Sequence, residues 1–526
     1  MMEGTLGTFA AYADADYAAP SGVHELRGRL RGAGYVESEV RERLGKNPQE
    51  LEPTDLPYLD RFALGSGDLE DLLRLFQLRA AIGEDRARSL LGAEGYEFLL
   101  DQGALSSEGG LVLARVDLFP VGELVVATDH RYQVLESDKL SEDPVMYLGL
   151  DSVGLVNTAP RVDVESHLDL CTGSGVQALV AASYSDFVIG VDLNPRAIRF
   201  ARFNADLNEI DHVDFRLGNL YEPVANEKFD SITANPPFVP SPDESLGFRD
   251  GGRNGEAILS CIVQGASEKL RENGRLSIVT DLVDPDQYIE KISDWWSGEA
   301  ICGLILTTAD RDEVLFSVPH ARAPFGQSYE DYSEELSRWV NSYRSASLGM
   351  VNFGYILLQE NSGAGVENHI VQRVVSSPLD PVYDQARELV DLLVFDTEDN
   401  LDLFEFSPAP GLRVQAERRL DGSILKNEVL VPDNPWFTRY RLEANLLGLL
   451  EEVAASPLSW AKLGERGLQQ QARALIEKGL LVGRLWQDAP PVGCKLPRAK
   501  VGPSRRIIID ELATKTTPTC VSNYLQ

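Results

Sequence analysis

The sequence is poor in cysteine and in long apolar runs. Its five cysteines lie far apart in 526 residues, and no two of them form a Cys-x-x-Cys pair. Together with only six scattered histidines, this argues against a disulfide framework and against a metal site. No stretch approaches the roughly 18 apolar residues of a membrane span, and the N-terminus lacks a basic and apolar leader. We therefore expect a cytoplasmic protein without metal and without membrane association.

Positive charge is scarce as well. Lys and Arg number 49 against 82 Asp and Glu, which gives a formal net charge of −33. Such a surface repels naked nucleic acid, whose binding rests on phosphate neutralisation, and suits a basic protein partner or simple solubility. The deficit is uneven, because residues 451–526 carry eleven Lys and Arg against seven Asp and Glu. The basic run of the chain lies in this part, at Lys495, Arg498, Lys500, Arg505 and Arg506.

Length and changes of pattern predict three domains, because 526 residues exceed the size of one hydrophobic core. Residues 1–105 are typical of a helical, winged-helix-like domain. Residues 106–375 alternate apolar strands with amphipathic helices, and their motif core spans residues 150–320. Residues 376–526 are expected to form a second winged-helix-like α+β domain that ends in the basic tail.

The middle domain is predicted to be α/β, a Rossmann-like, doubly wound sheet. A helical pattern near Tyr329–Tyr343 separates its last two strands, and the sheet is expected to end in an antiparallel, hairpin-like edge. The predicted strands are His167–Leu170, Phe187–Asp192, Asp214–Leu217, Ser231–Ala234, Gly274–Thr280, Cys302–Thr307, Glu313–Pro319 and Met350–Leu358.

The third domain has weaker signals. Helices are predicted at Leu442–Leu450 and Gln470–Gly479, followed by a strand at Leu480–Val482. The glycine- and proline-rich segments 361–365 and 407–411 are predicted to be loops near the domain boundary.

A glycine-rich turn follows the first predicted strand of the middle domain. It comprises Asp169-Leu170-Cys171-Thr172-Gly173-Ser174-Gly175 and precedes the helical stretch Val176–Ala182. Glycines at such a turn let the backbone approach a ligand closely, and the helix N-terminus presents free N–H groups. Nucleotide and flavin sites use the same arrangement, and a tight structural turn is the simpler alternative.

An acidic residue at the end of the second strand helps to choose between ligands. Asp192 comes seventeen residues after Gly175, and its carboxylate can accept both ribose hydroxyls of NAD or of S-adenosylmethionine. The third small residue of the dinucleotide pattern is missing, and Asp169 would attract an ammonium group but repel a pyrophosphate. We therefore predict S-adenosylmethionine as the cofactor, with Leu193 beside Asp192 in its site.

A third turn, Gly218-Asn219-Leu220-Tyr221, follows the next strand. The Asn219 amide could hydrogen-bond the adenine edge of the cofactor, with Leu220 beside it. A turn-forming asparagine is an equally good interpretation, because Asn is common in turns for its own backbone reasons.

The most specific segment is Asn235-Pro236-Pro237-Phe238, at the end of the fourth strand. Ligands bind at the carboxyl ends of strands in such sheets, and the prolines fix the backbone there. The Asn235 side-chain oxygen and the Pro236 carbonyl can then accept the two hydrogens of an –NH2 group. Phe238 can stack on the flat group that carries it. Asn235 is also predicted to border the cofactor.

This arrangement suits methyl transfer to a planar nitrogen. The lone pair of an amide or aromatic amine is delocalised, so the nitrogen is a poor nucleophile. Two acceptors favour its attacking geometry and stabilise the positive charge that develops on it, while alignment with a sulfonium methyl supplies proximity. We predict an N-methyltransferase with Asn235, Pro236, Pro237 and Phe238 as its catalytic residues.

Together these segments resemble class I S-adenosylmethionine-dependent methyltransferases of the HemK-like and "methyltransferase small" groups, over about residues 150–320. The resemblance implies methylation of a glutamine amide in release factors or of an exocyclic amine of a nucleic-acid base. Phe248–Gly255 is similar to the Gly-Gly-x-x-Gly segment that follows the motif in HemK-like enzymes. Two positions depart from the family pattern: Cys171 replaces a glycine, and Asn219 stands where Asp is usual.

Three functions stay open at this point. A protein glutamine methyltransferase is slightly favoured by Phe248–Gly255 and by the acidic surface. A methyltransferase of ribosomal RNA, transfer RNA or DNA bases is supported by the winged-helix-like modules and the basic run. The third is a non-catalytic binding protein with the same fold, against which the intact Asn235–Phe238 motif argues. The oligomeric state is open.

Overall fold

The computed structural model describes residues 8–9, 12, 20–131, 144–242, 250–252, 254–322, 327–361, 367–375, 381–397, 400–430 and 440–485. Several predicted features lie outside these residues. They are the basic run from Lys495 to Arg506, most of the predicted loop at 361–365, and Phe248, Arg249 and Arg253 of the segment after the motif.

The N-terminal part has short helices followed by hairpins. Its described elements are α1 (Ser21–Gly32), α2 (Glu37–Leu44), α3 (Leu56–Tyr58), α4 (Asp68–Phe76), β1 (Ile82–Gly83), α5 (Glu84–Leu91), α6 (Ala93–Asp101), β2 (Leu105–Glu108), β3 (Leu111–Ala114), β4 (Asp117–Val121) and β5 (Leu124–Thr128). Strands β1, β3 and β2 form one antiparallel sheet, and β4 and β5 form a separate hairpin. Leu69, Leu72, Leu73 and Phe76 form the buried face of α4, as their helical spacing requires.

The central sheet has eight strands in the order β13-β11-β12-β10-β9-β6-β7-β8. Strand β12 is antiparallel to both of its neighbours, and every other neighbouring pair is parallel. Its elements, with the helix that precedes it, are α7 (Leu150–Thr158), β6 (Val164–Leu170), α8 (Val176–Ala181), β7 (Ser185–Asp192), α9 (Pro195–Leu207), β8 (Val213–Leu217), β9 (Phe229–Ala234), α10 (Ala257–Lys269), β10 (Leu270–Val283), α11 (Tyr288–Trp295), β11 (Ala300–Arg311), α12 (Glu313–Ala321), α13 (Tyr329–Ser345), β12 (Val351–Asn361) and β13 (His369–Val374). The predicted α/β, Rossmann-like sheet is confirmed.

The strand order creates a crevice between β6 and β9. The chain runs from β6 outward to β7 and β8, then returns to β9 on the other side of β6. Strands β6 and β9 are in parallel register, with Leu170 opposite Ala234. The turn after β6 and the motif after β9 therefore lie side by side, where ligands bind in open α/β sheets.

The predicted strand at Glu313–Pro319 is wrong, because this segment forms helix α12. The Asp312 carboxylate accepts hydrogen bonds from the backbone N–H groups of Val314 and Leu315 and so caps the helix. The apolar run divides between two helical faces: Phe316 is buried, whereas Val314 and Leu315 are more than half exposed. Short apolar runs do not distinguish a strand from a helix by pattern alone.

The edge of the sheet also differs from the prediction. The antiparallel strand β12 lies inside the sheet, between β10 and β11. Strand β13, which the sequence did not predict, forms the edge and runs parallel to β11. Most residues of β13 are half-buried, so the segment lacks the clear alternation of apolar and polar positions that would predict a strand.

The C-terminal part packs helices on small antiparallel sheets. The described elements are α14 (Tyr383–Thr397), β14 (Phe404–Pro408), β15 (Arg413–Arg418), β16 (Ile424–Leu430), β17 (Tyr440–Arg441), α15 (Ala444–Ala455), β18 (Leu458–Ser459), α16 (Trp460–Glu465), α17 (Gln469–Glu477) and β19 (Leu481–Leu485). The predicted helices are confirmed as α15 and α17, and the strand as β19. The loop prediction at 407–411 is wrong at Ser407 and Pro408, which end β14. No helix in the described part of the chain is long and apolar enough to cross a membrane.

Candidate active site

The turn after β6 has a backbone that favours glycine at three positions. Cys171, Gly173 and Gly175 have φ values of 55°, 54° and 85°. A Cβ at Gly175 would lie 3.0 Å from the Cβ of Ala201 on α9, so this turn packs closely on the neighbouring helix. Cys171 adopts a conformation that L-residues rarely adopt, at the position where the family pattern has glycine.

Asp169 stabilises this turn through hydrogen bonds of its side chain. Its side chain is fully buried, and its Oδ2 accepts hydrogen bonds from the Thr172 hydroxyl (2.6 Å) and the Ala178 N–H (3.2 Å). Its Oδ1 accepts a hydrogen bond from the Thr233 hydroxyl at 2.9 Å. Burial raises the pKa of Asp169 to about 7, although these hydrogen bonds oppose the shift. Asp169 therefore ties the turn to β9 and to the start of α8.

A buried histidine extends this network, and sequence reasoning missed it. His167 Nε2 lies 3.0 Å from the Thr233 hydroxyl, and Nδ1 lies 2.6 Å from the Ser231 hydroxyl. Burial lowers the pKa of His167 to about 3, so the ring is neutral. Two pairs, His167 with Ser231 and Asp169 with Thr233, stand opposite each other in the β6–β9 register. Polar residues at every second position of both strands could have indicated this hydrogen-bond network from the sequence.

Asp192 at the end of β7 connects the second strand to the turn. Its Oδ2 accepts a hydrogen bond from the Gly173 N–H, and its Oδ1 accepts one from the Asn194 N–H, both at 2.8 Å. Burial raises the pKa of Asp192, which these backbone donors oppose. With the Leu193 N–H there are three backbone donors, which still leaves lone-pair capacity on the carboxylate for a further donor such as a hydroxyl group.

Leu193, Asn219 and Leu220 are further predicted cofactor residues, and they follow the carboxyl ends of β7 and β8. Leu193 is 71% exposed. Asn219 is exposed on the turn after β8, next to Leu220, whose φ is 45°. The Gly218 N–H donates to the Asp192 carbonyl at 2.9 Å, so this turn lies against the end of β7. Leu193 and the Asn219 turn thus border the same end of the sheet as Asp192.

The Asn235 amide is held by the helix that precedes the sheet. Its Nδ2 donates to the Ser152 hydroxyl (3.1 Å) and more weakly to Asp151 Oδ2 (3.4 Å) at the start of α7. An ionised carboxylate only accepts, so it must face the NH2 side of the amide. The Asn235 Oδ1 is buried and has no hydrogen-bond partner among the described residues. The amide oxygen is therefore the group left for a ligand.

The segment after the motif packs directly on its backbone. The Gly251 N–H donates to the Val239 carbonyl, and the Ser241 N–H donates to the Gly252 carbonyl. A Cβ at Gly255, whose φ is 70°, would lie 2.3 Å from the Phe238 carbonyl oxygen. The glycines allow this close approach and so fix the course of the chain through Phe238.

Phe238, the last residue of the motif, packs against a helical hairpin. Its ring centroid is 6.2 Å from that of Phe353 on β12. It also packs against a buried cluster that includes Phe316 of α12 and Trp339 of α13. Helices α12 and α13 therefore form a wall beside the motif. Because Glu313–Pro319 was predicted to be a strand, this wall was not anticipated from the sequence.

Two further buried polar groups on neighbouring strands lie near Asp151. Asp281 on β10 is 1% exposed and pairs with Arg311 of β11, and Tyr355 on β12 is fully buried against α7. The Asp151 charge raises the pKa of both groups, in addition to the larger effect of burial. Sequence reasoning missed Asp281, although a lone acid near the carboxyl end of an apolar strand was a usable signal.

The chain is similar in sequence to known methyltransferases. The family model "Methyltransferase small domain" matches residues 151–289. A putative protein N5-glutamine methyltransferase of Methanocaldococcus jannaschii is 30% identical over 167 residues, which make up 30% of this chain and 84% of that protein. The chain belongs to the HemK-like class I S-adenosylmethionine-dependent methyltransferases.

Other relatives of this methyltransferase match over shorter stretches. A release factor glutamine methyltransferase of Aliivibrio fischeri is 37% identical over 140 residues, 24% of this chain and 49% of that protein. A ribosomal protein uL3 glutamine methyltransferase of Bradyrhizobium diazoefficiens is 35% identical over 127 residues, 22% of this chain and 40% of that protein. This chain thus spans about half the length, or less, of these two relatives. Among solved structures, the ribosomal protein L11 methylase of Lactobacillus delbrueckii has a TM-score of 0.23 and 16% identity, and the match covers 39% of this chain and 76% of that chain.

The residues of this methyltransferase fit the cofactor of its family. A Cβ at Gly173 would meet no atom nearer than 4.0 Å, so the turn before α8 presents open backbone surface. The Asp192 oxygens keep free lone pairs beside it, and the Asn235 Oδ1 is an unpartnered acceptor within the described chain. Backbone N–H groups, a carboxylate and an amide oxygen are the groups that S-adenosylmethionine can use as a ligand. When bound, the cofactor supplies an electrophilic methyl group on its sulfonium.

Proposed function

We propose that this chain is a protein glutamine N-methyltransferase. The observation that carries the proposal is the fixed Asn235 amide: Asp151 and Ser152 hold its nitrogen, and its buried oxygen lacks a partner in the described part of the chain. A buried acceptor without a partner costs free energy, so a site that keeps one serves a ligand that donates. An –NH2 group is such a ligand. Three relatives are named as glutamine methyltransferases, which supports a glutamine amide as the group that carries this –NH2.

The roles of the motif residues follow from their positions. The Asn235 oxygen and the Pro236 carbonyl accept the two hydrogens of the target –NH2 and hold its nitrogen in the attacking geometry. They also stabilise the positive charge that develops on nitrogen, because both dipoles are already oriented when the substrate arrives. Pro237 fixes the backbone between Pro236 and Phe238, and Phe238 packs on the flat face of the amide. No strong base is required, because the proton leaves after methyl transfer.

We propose that the cofactor residues, apart from Asp169, have the roles that the sequence predicts. We propose that Asp192 accepts the ribose hydroxyls and that Leu193, Asn219 and Leu220 border the adenine. Cys171, Thr172, Gly173 and Gly175 provide the backbone surface of the turn. We assign Asp169 mainly to bracing this turn, because protein donors already occupy both of its oxygens. The scattered cysteines suit a reducing compartment, so we also propose a cytosolic location.

A labelling experiment separates the substrate classes. The purified chain is incubated with tritiated S-adenosylmethionine and cell lysate, and aliquots are then treated with RNase, DNase or protease. The proposal predicts labelled macromolecules that only protease removes. Label that RNase or DNase removes would instead assign a base amine as the target.

A variant of the motif tests the mechanism in the same assay. Asn235→Ala removes the unpartnered acceptor, so we expect the rate of labelling to fall at least about 100-fold, the usual loss for one oriented transition-state group. Cofactor binding, measured by isothermal titration calorimetry, should persist. Full activity in Asn235→Ala would refute the assigned role of this side chain.

A further inference from the structure

A second acceptor without a partner lies close to the motif. Asp281 is 1% exposed, and its Oδ1 accepts a hydrogen bond from Arg311. Its Oδ2 is buried and has no hydrogen-bond partner among the residues that the structure describes. The Nε of Arg311 is likewise buried without a partner in the described part of the chain, so the Arg311 contact leaves Oδ2 unoccupied. Buried carboxylate oxygens are normally satisfied, so this oxygen can accept a hydrogen bond from a ligand.

Register places Asp281 at the level of the motif. Ile278 of β10 stands opposite Ala234, the last residue of β9, and Asp281 follows this pair by three residues on β10, as Pro237 does on the chain after β9. Across the sheet on the other side, Asp281 stands opposite Phe353, whose ring contacts Phe238. The motif and Asp281 are therefore adjacent at the carboxyl end of the sheet.

Asp281 and Phe353 are directly opposite on neighbouring antiparallel strands, so their side chains share one face of the sheet, and on that face Phe353 contacts Phe238. Asp151, which holds the Asn235 amide, is near enough to raise the pKa of Asp281, although burial is the larger cause. We name the region around Asn235, Phe238, Asp281 and Phe353 the substrate chamber. It offers two unpartnered acceptors, one amide oxygen and one carboxylate oxygen, among the described residues.

Two acceptors select a substrate that is rich in donors. A peptide segment carries N–H groups along its main chain, beside the –NH2 of a glutamine side chain. The guanine amine lies beside an N1–H donor, but the exocyclic amines of adenine and cytosine lie beside ring nitrogens that only accept, as N7 is beside the N6 amine of adenine. A carboxylate facing such a nitrogen would repel it, whereas a peptide N–H would donate to it.

We propose that Asp281 is a substrate-binding residue, whose Oδ2 accepts a hydrogen bond from a main-chain N–H of the peptide that carries the target glutamine. This inference rests on the proposed protein glutamine methyltransferase activity and extends it to recognition of the peptide backbone. Arg311 keeps the carboxylate ionised and orients it through the other oxygen. Asp281 thus favours a peptide over an adenine or cytosine base.

The test compares variants of the full-length chain on one protein substrate and on total RNA. Methyl transfer from tritiated S-adenosylmethionine to a purified release factor is measured at several substrate concentrations. Asp281→Asn should lower kcat/KM by about 10- to 100-fold, the usual effect of losing a hydrogen bond to a charged group. The loss should reside mainly in KM, and the cofactor Kd should stay unchanged. The exposed Asp310→Asn, one residue before Arg311, is the matched control and should keep the wild-type KM.

A second variant covers the case that Asp281→Asn does not fold, which circular dichroism would show. Asp281→Glu keeps the charge beside Arg311 but displaces the carboxylate by one methylene, so we expect an intermediate rise in KM at similar kcat. A folded Asp281→Asn or Asp281→Glu with wild-type KM for the release factor would overturn the role of Asp281 alone. If the wild-type chain labels RNA and no protein, the proposed function fails and this inference fails with it.

Discussion

At the residue scale, the orientation of one amide decides what the site can accept. If the Asn235 side chain turned over, its NH2 would face the chamber and would repel the hydrogens of an –NH2 substrate. The Ser152 hydroxyl at 3.1 Å and the Asp151 carboxylate at 3.4 Å keep the oxygen on the substrate side. These two side chains act on the reaction through Asn235, so they are positioning residues.

Replacing Ser152 tests this positioning. Ser152→Ala removes the nearer partner of the Asn235 nitrogen, so the amide samples the wrong orientation and we expect kcat to fall about 3- to 10-fold, as for the loss of one neutral hydrogen bond. The double variant Asp151→Ala/Ser152→Ala should lose more, and steady-state kinetics would measure both. Thr158→Ala is the control, because Thr158 lies on the same helix and its buried hydroxyl bonds only within α7. Equal kcat values in Ser152→Ala and the wild type would contradict this role.

The buried pair His167 and Asp169 predicts an unusual pH dependence of stability. The pKa of His167 is lowered to about 3 from about 6.5 in the unfolded chain, so its contribution to stability grows as pH rises between these values. The pKa of Asp169 is raised to about 7 from about 3.9, so its contribution declines as pH rises through that range. The two slopes oppose each other between about pH 4 and pH 6.5.

Single variants should expose the two slopes. In Asp169→Asn the free energy of unfolding should rise more steeply with pH than in the wild type, by up to about 1.4 kcal/mol per pH unit. In His167→Gln it should change in the opposite direction by a similar amount. Urea denaturation at a series of pH values would measure both. Slopes that stay equal to that of the wild type would mean that these groups titrate normally in the folded chain.

At the scale of elements, the loop that carries Phe238 depends on two glycines packed against it. Gly251 and Gly255 approach the Phe238 backbone so closely that a Cβ on either would lie within 3 Å of it. The sequence marks this segment through its resemblance to the Gly-Gly-x-x-Gly pattern, but only the structure shows the contact. Asp250 forms an isolated parallel bridge with Val239, which joins the segment to the motif.

Two neighbouring glycines provide a matched test of this packing. Gly255→Ala should displace Phe238, because a Cβ would lie 2.3 Å from its carbonyl oxygen, and we expect kcat/KM to fall at least about tenfold. Gly252→Ala shares a positive φ but meets no described atom within 4 Å, so it should cost only about 1–2 kcal/mol of stability from backbone strain. Thermal unfolding and steady-state kinetics would measure the two effects. Similar kcat/KM values in both variants would show that the contact does not position Phe238.

The sequence predicted those elements whose signals are local. The turn Cys171–Gly175, the strand ending at Asp192 and the motif at Asn235–Phe238 each depend on a short run of residues, and the structure brings all three to one edge of the sheet. The errors occur where a local pattern fits two structures, as at Glu313–Pro319. There a capping carboxylate and the two faces of a helix decided the outcome, and the wall beside Phe238 was missed as a result.

At the scale of the whole molecule, the site joins residues that are far apart in the chain. Asp151, Asn235, Asp281 and Phe353 span more than 200 positions and meet only because the strand order places β9, β10 and β12 next to one another. No local pattern could have predicted that Asp151 holds Asn235 or that Asp281 faces the chamber. Such contacts arise from sheet register, which a single sequence does not encode in any short segment.

The N-terminal part is joined to the methyltransferase sheet by specific contacts. Asn204 lies on α9, and Asn208 follows its last residue. Each side chain bonds both the N–H and the carbonyl of one residue in β5, Ala127 and Val125 respectively. Phe9 stacks on Phe203 of the same helix at a centroid distance of 4.3 Å. Since α9 follows Asp192, these contacts attach the N-terminal part next to the proposed cofactor edge.

The central claim is that the chain methylates a glutamine amide in a protein. Mass spectrometry of a purified release factor, after incubation with the chain and S-adenosylmethionine, tests it most directly. We predict one added methyl group, assigned by fragmentation to a glutamine side-chain nitrogen and absent when Asn235→Ala replaces the wild-type chain. An unmodified release factor, together with methylated bases in RNA or DNA from the same lysate, would contradict the claim.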